Sequence, residues 1–507
     1  MSLADSAVLP GEGDDFLVLT LEVSLDGGEV QRYLLPLAIA WETASDDPFA
    51  RLQSFTLARV RTGGRIGAVH DAVLSAGFAR AVAAAVRDGL SLSTRAGGKL
   101  VFRPTDAFPQ TLPLTEIAVD RLGGEQSNTS LLMGEDIIVK TLRRLAPGIH
   151  PEVEIGRFLT EVARFSNTPP LFGSVEMRDG GGVATSLLTL QGFVRNQGDG
   201  WEFTLDHLDR LLGQLEFLPS GVEADPNELY DVYLAMAETL GWRVAELHRA
   251  FALPVEDPAF HPDPADAADV TAWAEAALQQ ADSAHAALTR AREAGLAGEA
   301  EAAVRSLLDR WQSIGSAVEA VRGRDFGFVK TRVHGDLHLG QVVVVRDDFY
   351  IIDFEGEPLR SLEERRFKTS PLKDVAGMLR SFDYAASTAL HRRPEVRPGG
   401  SELLRRALHE WRHKVFDRFL QGIAQRSATA RRCRRATRIS RPCSPCSWWR
   451  RCSTRSTGSR QPPRLARHSG ARRARDAWRR RCGGNAGAGG GKKTKPAPTA
   501  GHCRNGC

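Results

Sequence analysis

The chain has 507 residues, 42% hydrophobic and 25% charged, which suits a soluble globular protein of more than one domain. Its longest apolar runs, such as "YLLPLAIAW" at 33–41, are far too short to span a bilayer, and "MSLADSAVLPGEGDD" lacks the basic-then-apolar order of a secretory signal, so a cytoplasmic address is expected. The net charge of +5 hides an uneven distribution: residues 431–507 carry +21 and all seven cysteines, leaving −16 and no cysteine on the first 430. A cysteine-free body fits a reducing compartment, and its negative charge repels nucleic acid.

In chain order, "DFLVLTLEVSL" and "VQRYLLPLAIAW" alternate about a "DGGE" turn and predict a hairpin within residues 16–41. An Ala-rich helix is expected within 69–90. Residues 115–145 read as strand, Gly/Ser/Asn-rich turn ("GGEQSNTS") and strand ("DIIVK"). "HPEVEIGRFLTEVARF" then predicts a helix with Pro151 in its first turn and Val153, Phe158 and Val162 on its apolar face. "TSLLTLQGFVRN" reads as a further buried strand.

Beyond residue 200 the period becomes helical. "LYDVYLAMAETLGWRVAELHRAFA" places Leu234, Leu240, Val244 and Leu247 at helical spacing. Two Ala-rich segments, 269–295 and 298–323, predict an antiparallel helical pair, and helices follow at about 373–390 and 400–423. The fold class is therefore α+β and two-lobed: a cap subdomain at 1–112, a strand-rich lobe at 113–197, a helical lobe at 198–428 and a basic tail from 429. The tail has no period. It reads as a nucleic-acid-binding arm, as a disordered segment, or as an out-of-frame segment.

The chemistry concentrates in "HGDLHLGQVVVVRDDFYIIDFEGEP", residues 334–358. The apolar arms around "RDD" predict a hairpin whose open end brings Gln341 and Asp353 together, each offering an oxygen to a hard cation. Glu355, two residues beyond Asp353, is placed on the same side and offers a further ligand. Protein kinases use the matching order: a catalytic-loop Asp, a metal-binding amide, then a second Asp. Here "HGD" supplies Asp336, Gln341 the amide and "DFE" the metal carboxylates. Lys140 ends an apolar strand, as the phosphate-binding lysine of kinases does. Glu152 and Glu154 both stand early in the next helix as its counter-ion. Ser127, Asn128 and Thr129 lie in the turn that covers phosphates, and Gln191, Phe193 and Val194 lie where backbone groups meet adenine. His334 and His338 have the i, i+4 spacing of a helical metal pair, but no helix is expected in this loop, so they are read as bracing it by hydrogen bonds. Lys373, Asp374 and Arg380 support the site or the acceptor, or form ion pairs on their helix.

With these residues in place, the chain resembles the maltokinase family, within the aminoglycoside-phosphotransferase-like kinases, over about residues 16–424. The specific matches are "HGDLHLGQ", "IIDFEGEP", "PLKDVAGMLRSFDYAA", "QGFVRNQGDGW" and "PEVEIGRFLTE". The resemblance implies a protein-kinase-like fold with an N-terminal cap, and ATP-dependent, Mg²⁺-assisted phosphorylation of maltose at its anomeric hydroxyl. The product, maltose 1-phosphate, feeds α-glucan (glycogen) synthesis, and trehalose synthase is an expected partner or fusion. It also favours Glu154 over Glu152 as the partner of Lys140. A related kinase acting on another sugar or an aminoglycoside is the alternative. Two departures stand out: the family's additional N-terminal residues, with their aromatic-basic segment, and its "NRPDW"-type ending are both missing. Gln461–Ser469, back-translated and shifted by one base, has Asn-Arg-Pro-Asp-Trp among its readings, so a frame change between about residues 424 and 431 is expected.

Overall fold

A computed structural model describes residues 1–43, 45–122, 128–216, 226–393 and 400–436. Ser127 and the tail beyond 436 lie outside the described residues. The expected hairpin is present as strands Phe16–Ser24 and Val30–Trp41. It sits inside a larger antiparallel sheet ordered Ser2–Leu9, Phe16–Ser24, Val30–Trp41, Arg65–Asp71, Thr56–Thr62, with Arg144–Leu145 added alongside Val30–Trp41. The expected helix at 69–90 starts later, at Ala76, because Arg65–Asp71 continues the sheet and Asp71 caps a short turn at Ala72–Leu74. Helix Ala76–Arg87 buries Phe78, Ala79, Val82, Ala83, Ala85 and Val86.

A second sheet has seven antiparallel strands, ordered Ser91–Ser93, Lys99–Pro104, Leu171–Arg178, Ala184–Gly192, Ile137–Leu142, Asn128–Met133, Val119–Arg121. The expected boundary at residue 112 falls between two strands of this sheet, Lys99–Pro104 and Val119–Arg121. Lys99–Pro104 pairs directly with Leu171–Arg178, from Lys99 opposite Arg178 to Pro104 opposite Gly173. One apolar core joins the two sheets: Phe16, Leu34, Phe78, Leu100, Leu131, Val139 and Leu187 all belong to it. The cap and the strand-rich lobe are thus one folded body.

The helix after Ile149 runs Pro151–Arg157 and then widens into a π-turn at Phe158–Val162, where the Ala163 amide donates to the Phe158 carbonyl at 2.9 Å. The wider turn leaves Phe158 in the core and turns Val162 out to 53% exposure, against the expected apolar stripe.

The helical lobe is built from Gly200–Glu216, Pro226–Phe251, Leu372–His391 and Gly400–Ala436. The last helix runs past the expected end at 423. Its Trp411, Val415 and Phe419 are fully buried against Tyr230, Leu240 and Phe382 in the lobe's core. Gly241 permits a close crossing, since a Cβ there would collide with the Phe419 carbonyl. Helices Ala267–Glu293, Gly298–Asp309 and Trp311–Glu319 replace the expected helical pair, with only Val270 and Ala274 buried among their described residues. Among the described residues no helix is long and apolar enough to cross a membrane.

Candidate active site

Between the lobes, Val342–Val345 pairs with Asp348–Ile351, Val342 opposite Ile351 and Val345 opposite Asp348. Arg346 and Asp347 make the two-residue turn, with Arg346 at φ 59°. The β-branched run "VVVV" favours the strand, and burial of Val342, Val344, Phe349 and Ile351 fixes its register. At the open end, the Ile352 amide donates to the Gln341 carbonyl at 3.0 Å, and Gln341 Nε2 donates to Asp353 Oδ2 at 2.9 Å. Asp353 adopts φ 65°, a left-handed backbone rare for a residue with a Cβ, which turns the chain out of the strand there. Glu355 is therefore not reached by extended alternation. It nonetheless lies with Asp353 and Glu152 in a group whose carboxylate oxygens are within 4.8 Å of one another.

Lys140 stands in the strand Ile137–Leu142, opposite Ser130 and Thr189. Its buried ammonium contacts Glu152 Oε1 at 3.2 Å and Asp353 Oδ1 at 3.1 Å. Glu152, not Glu154, is the helix carboxylate paired with Lys140. Helical geometry accounts for the difference: residues two apart on a helix are about 200° apart around the axis, so only one of the two can face the strand. Gln191 donates its Nε2 to the same Glu152 oxygen at 2.7 Å. Glu154 instead accepts from Arg332 at 2.7 Å and from Arg366 at 2.8 and 2.9 Å.

Burial raises the Glu152 carboxyl above its ordinary range, Lys140 pulls it back, and the charge of Asp353 adds to the rise. Burial also pushes Glu355 up; Lys140 opposes, Asp353 and Glu152 reinforce, and the result is about 7. Burial works to raise Asp353 as well, but Lys140, His334 and Gln341 together hold it below the usual carboxylate range. Among the described residues, Glu152, Asp353 and Glu355 thus gather three carboxyl groups beside Lys140, an array of hard oxygen donors. That donor set matches a magnesium-like cation.

The loop that carries Asp336 is braced by Asp374, which is fully buried and accepts from the amides of His334 (3.0 Å) and Gly335 (2.9 Å) and from His248 Nε2 (3.0 Å). Burial acts to raise Asp374, but His248 and the loop amides hold it below the ordinary range. His334 Nε2 meets the Ile352 carbonyl at 2.9 Å, tying the loop to the hairpin, and the Asp336 amide approaches His334 Nδ1 at 3.4 Å. His338 Nδ1 accepts from the Gly340 amide at 3.1 Å. Gly377 lets the following helix approach the loop: a Cβ there would lie 2.5 Å from the Leu337 carbonyl.

The remaining expected residues are more dispersed. Thr129 accepts from Arg143 at 3.2 Å, and Asn128 and Thr129 begin the strand that pairs with Lys140's strand. The Phe193 amide donates to the Asp136 carbonyl at 2.8 Å, and the Val194 carbonyl accepts from Asn196 at 2.8 Å, so these backbone groups have partners within the chain. Lys373 lies 3.8 Å from Glu357, and Arg380 lies over the Tyr384 ring at 5.8 Å. Sequence reasoning missed His248, Arg332, Arg366 and the side-chain role of Gln191. None has a local motif, and each is recognisable only through a partner distant in the chain.

No family model matches the chain. It is 27% identical over 299 residues to the glucosamine kinase of Streptacidiphilus jiangxiensis, covering 58% of this chain and 60% of that one. It is 28% identical over 265 residues to the glucosamine kinase of Mycolicibacterium smegmatis, covering 52% and 58%. The chain thus spans about three-fifths of the length of the curated relatives it matches. Among solved structures it resembles glucosamine kinase in complex with glucosamine, ADP and inorganic phosphate, with a TM-score of 0.53 and 22% identity over 85% of this chain and 83% of that one. A second crystal form of glucosamine kinase gives a TM-score of 0.56 at 23% identity, with the same coverage. The chain has this two-lobed, kinase-like α+β fold.

Proposed function

We propose that the chain is an ATP-dependent sugar kinase that transfers the terminal phosphoryl group of ATP to a sugar hydroxyl. The observation that carries this reading is the hairpin that closes Gln341 onto Asp353, with Lys140 bridging Asp353 to Glu152. Gln341, Asp353 and Glu355 would hold Mg²⁺. The ion, when bound, neutralises phosphate oxygens and aligns the transferred group.

Lys140, oriented by Glu152, offers its ammonium to the inner phosphates. Asp336, on a loop pinned by Asp374 and His334, orients the acceptor hydroxyl and takes its proton as the oxygen attacks. Alignment and electrostatics then supply most of the rate, with no covalent enzyme intermediate.

Maltose, phosphorylated at its anomeric hydroxyl, is the acceptor favoured by the motif pattern around "HGDLHLGQ" and "IIDFEGEP". Glucosamine is the second reading, supported by the relatives of that activity. Incubation of the chain with ATP, Mg²⁺ and a panel of maltose, glucose, glucosamine and an aminoglycoside, followed by mass detection, separates them. Phosphate on glucosamine but not maltose rejects the maltose reading. Phosphate on none of the sugars rejects the kinase reading.

A further inference from the structure

Glu154 was expected to hold Lys140, and the structure gives it a different set of partners. Its two oxygens accept from two arginines that belong to different segments. Arg366 grips it as a fork, Nη2 to Oε1 at 2.8 Å and Nε to Oε2 at 2.9 Å. Arg332 Nη1 reaches Oε2 at 2.7 Å. Arg332 is 1% exposed and lies against the Phe260 ring at 5.2 Å, whereas Arg366 is 29% exposed. A guanidinium buried this deeply needs a carboxylate, so the Arg332–Glu154 contact is strongly specified. Bidentate pairing fixes angle as well as distance, which makes Arg366 a directional grip.

The connectivity gives the contact its meaning. Glu154 is two residues along the same short helix from Glu152, the partner of Lys140. Arg332 is four residues before Asp336, and Arg366 follows the segment that carries Asp353 and Glu355. The Thr331 amide donates to the Thr369 carbonyl at 3.0 Å and the Thr369 amide returns a bond at 2.8 Å, so the last two segments are also joined at the backbone. We propose that Glu154 is a positioning residue: gripped by Arg332 and Arg366, it sets the Asp336 loop in register with the helix that orients Lys140. Its catalytic consequence rests on the kinase reading above. Its structural content does not.

Arg366→Met is the informative variant, because it removes the fork and leaves the buried Arg332–Glu154 pair intact. Amide hydrogen exchange at residues 333–337 is expected to speed up about tenfold, with the cap helix Ala76–Arg87 unchanged as an internal reference. Under turnover, kcat is expected to fall about tenfold while KM for ATP moves less than threefold, the pattern of lost alignment rather than lost binding. Arg366→Lys keeps the charge without the fork and recovers part of kcat. If Arg366→Met does not fold, Arg332→Met serves instead: it deletes the buried charge, leaves Glu154 gripped by Arg366, and carries the same expected loop exchange. Loop exchange within twofold of the parent overturns the proposal, as does an unaltered kcat. If the parent phosphorylates no sugar, the kinase reading fails and the exchange result still judges the grip.

Discussion

Lys140→Met removes an ammonium from beside three carboxyl groups, and its cost can be worked through. At an effective dielectric of about 20, a unit pair at the 3.1 Å separation of Lys140 and Asp353 is worth about 5 kcal/mol, and the 3.2 Å pair with Glu152 is worth about the same. Much of that gross attraction offsets the cost of burying the charges. Removing one partner of a buried pair costs roughly 3–5 kcal/mol net. The variant can reduce the loss by taking up a proton, since Glu355 already sits at about 7 and Glu152 is already raised, both by burial first. Without Lys140 both carboxyls rise further. The folded state then holds protons that the unfolded state lacks at and above neutral pH, so the variant's stability falls as pH rises. Urea unfolding of parent and variant without divalent ions is therefore expected to show a loss of roughly 3–5 kcal/mol at pH 8 and a smaller loss at pH 6. A loss under about 1 kcal/mol at pH 8, or a larger loss at pH 6 than at pH 8, would refute the electrostatic reasoning.

The other predictions address the loop, the core and acid stability. Asp336→Asn is expected to lower kcat by roughly 10²–10⁴ with little change in the urea midpoint, since it removes a proton acceptor from a loop braced by other residues. Trp411→Ala, at a fully buried position, is expected to destabilise by about 3–5 kcal/mol in urea titrations. His207 stacks on Tyr233 at 4.5 Å, and its pKa is pushed down to about 4, by burial first and then by Arg210. Between that value and its unfolded pKa near 6.5 the unfolded chain binds a proton the folded chain does not, so stability is full above about 6.5 and is lost as pH falls towards 4. His207→Phe, which keeps the stacking, should shrink that acid-dependent loss by up to about 3 kcal/mol, measured as urea midpoints across the range.

The hairpin from Val342 to Ile351 was legible because its signals are local: a β-branched run, a polar two-residue turn and an apolar second arm. The meeting of Gln341 and Asp353 follows from that register alone. The choice between Glu152 and Glu154 was not legible, because both lie in the first turn and the face presented to the sheet depends on how the helix docks. The strand Ser2–Leu9 went unread because Asp5 and Ser6 interrupt its apolar pattern. The pairing across residue 112 was not legible for a related reason, since Lys99–Pro104 finds its partner strand some seventy residues later, beyond the reach of any local pattern. From the sequence, Asp374 reads as a support for the site or the acceptor, or as an ion-pair partner on its helix. Its role as loop brace requires His248, 126 residues away in the chain.

The central claim is that Asp336 and the Lys140–Asp353–Gln341 group together transfer phosphate from ATP to a sugar. Mass detection of a phosphorylated sugar, in parallel reactions of the parent and Asp336→Asn with maltose, glucosamine, ATP and Mg²⁺, tests it most directly. The account predicts a sugar phosphate from the parent and only a trace from the variant. Equal yields from both proteins, or ATP consumed with no phosphate on either sugar, would contradict it.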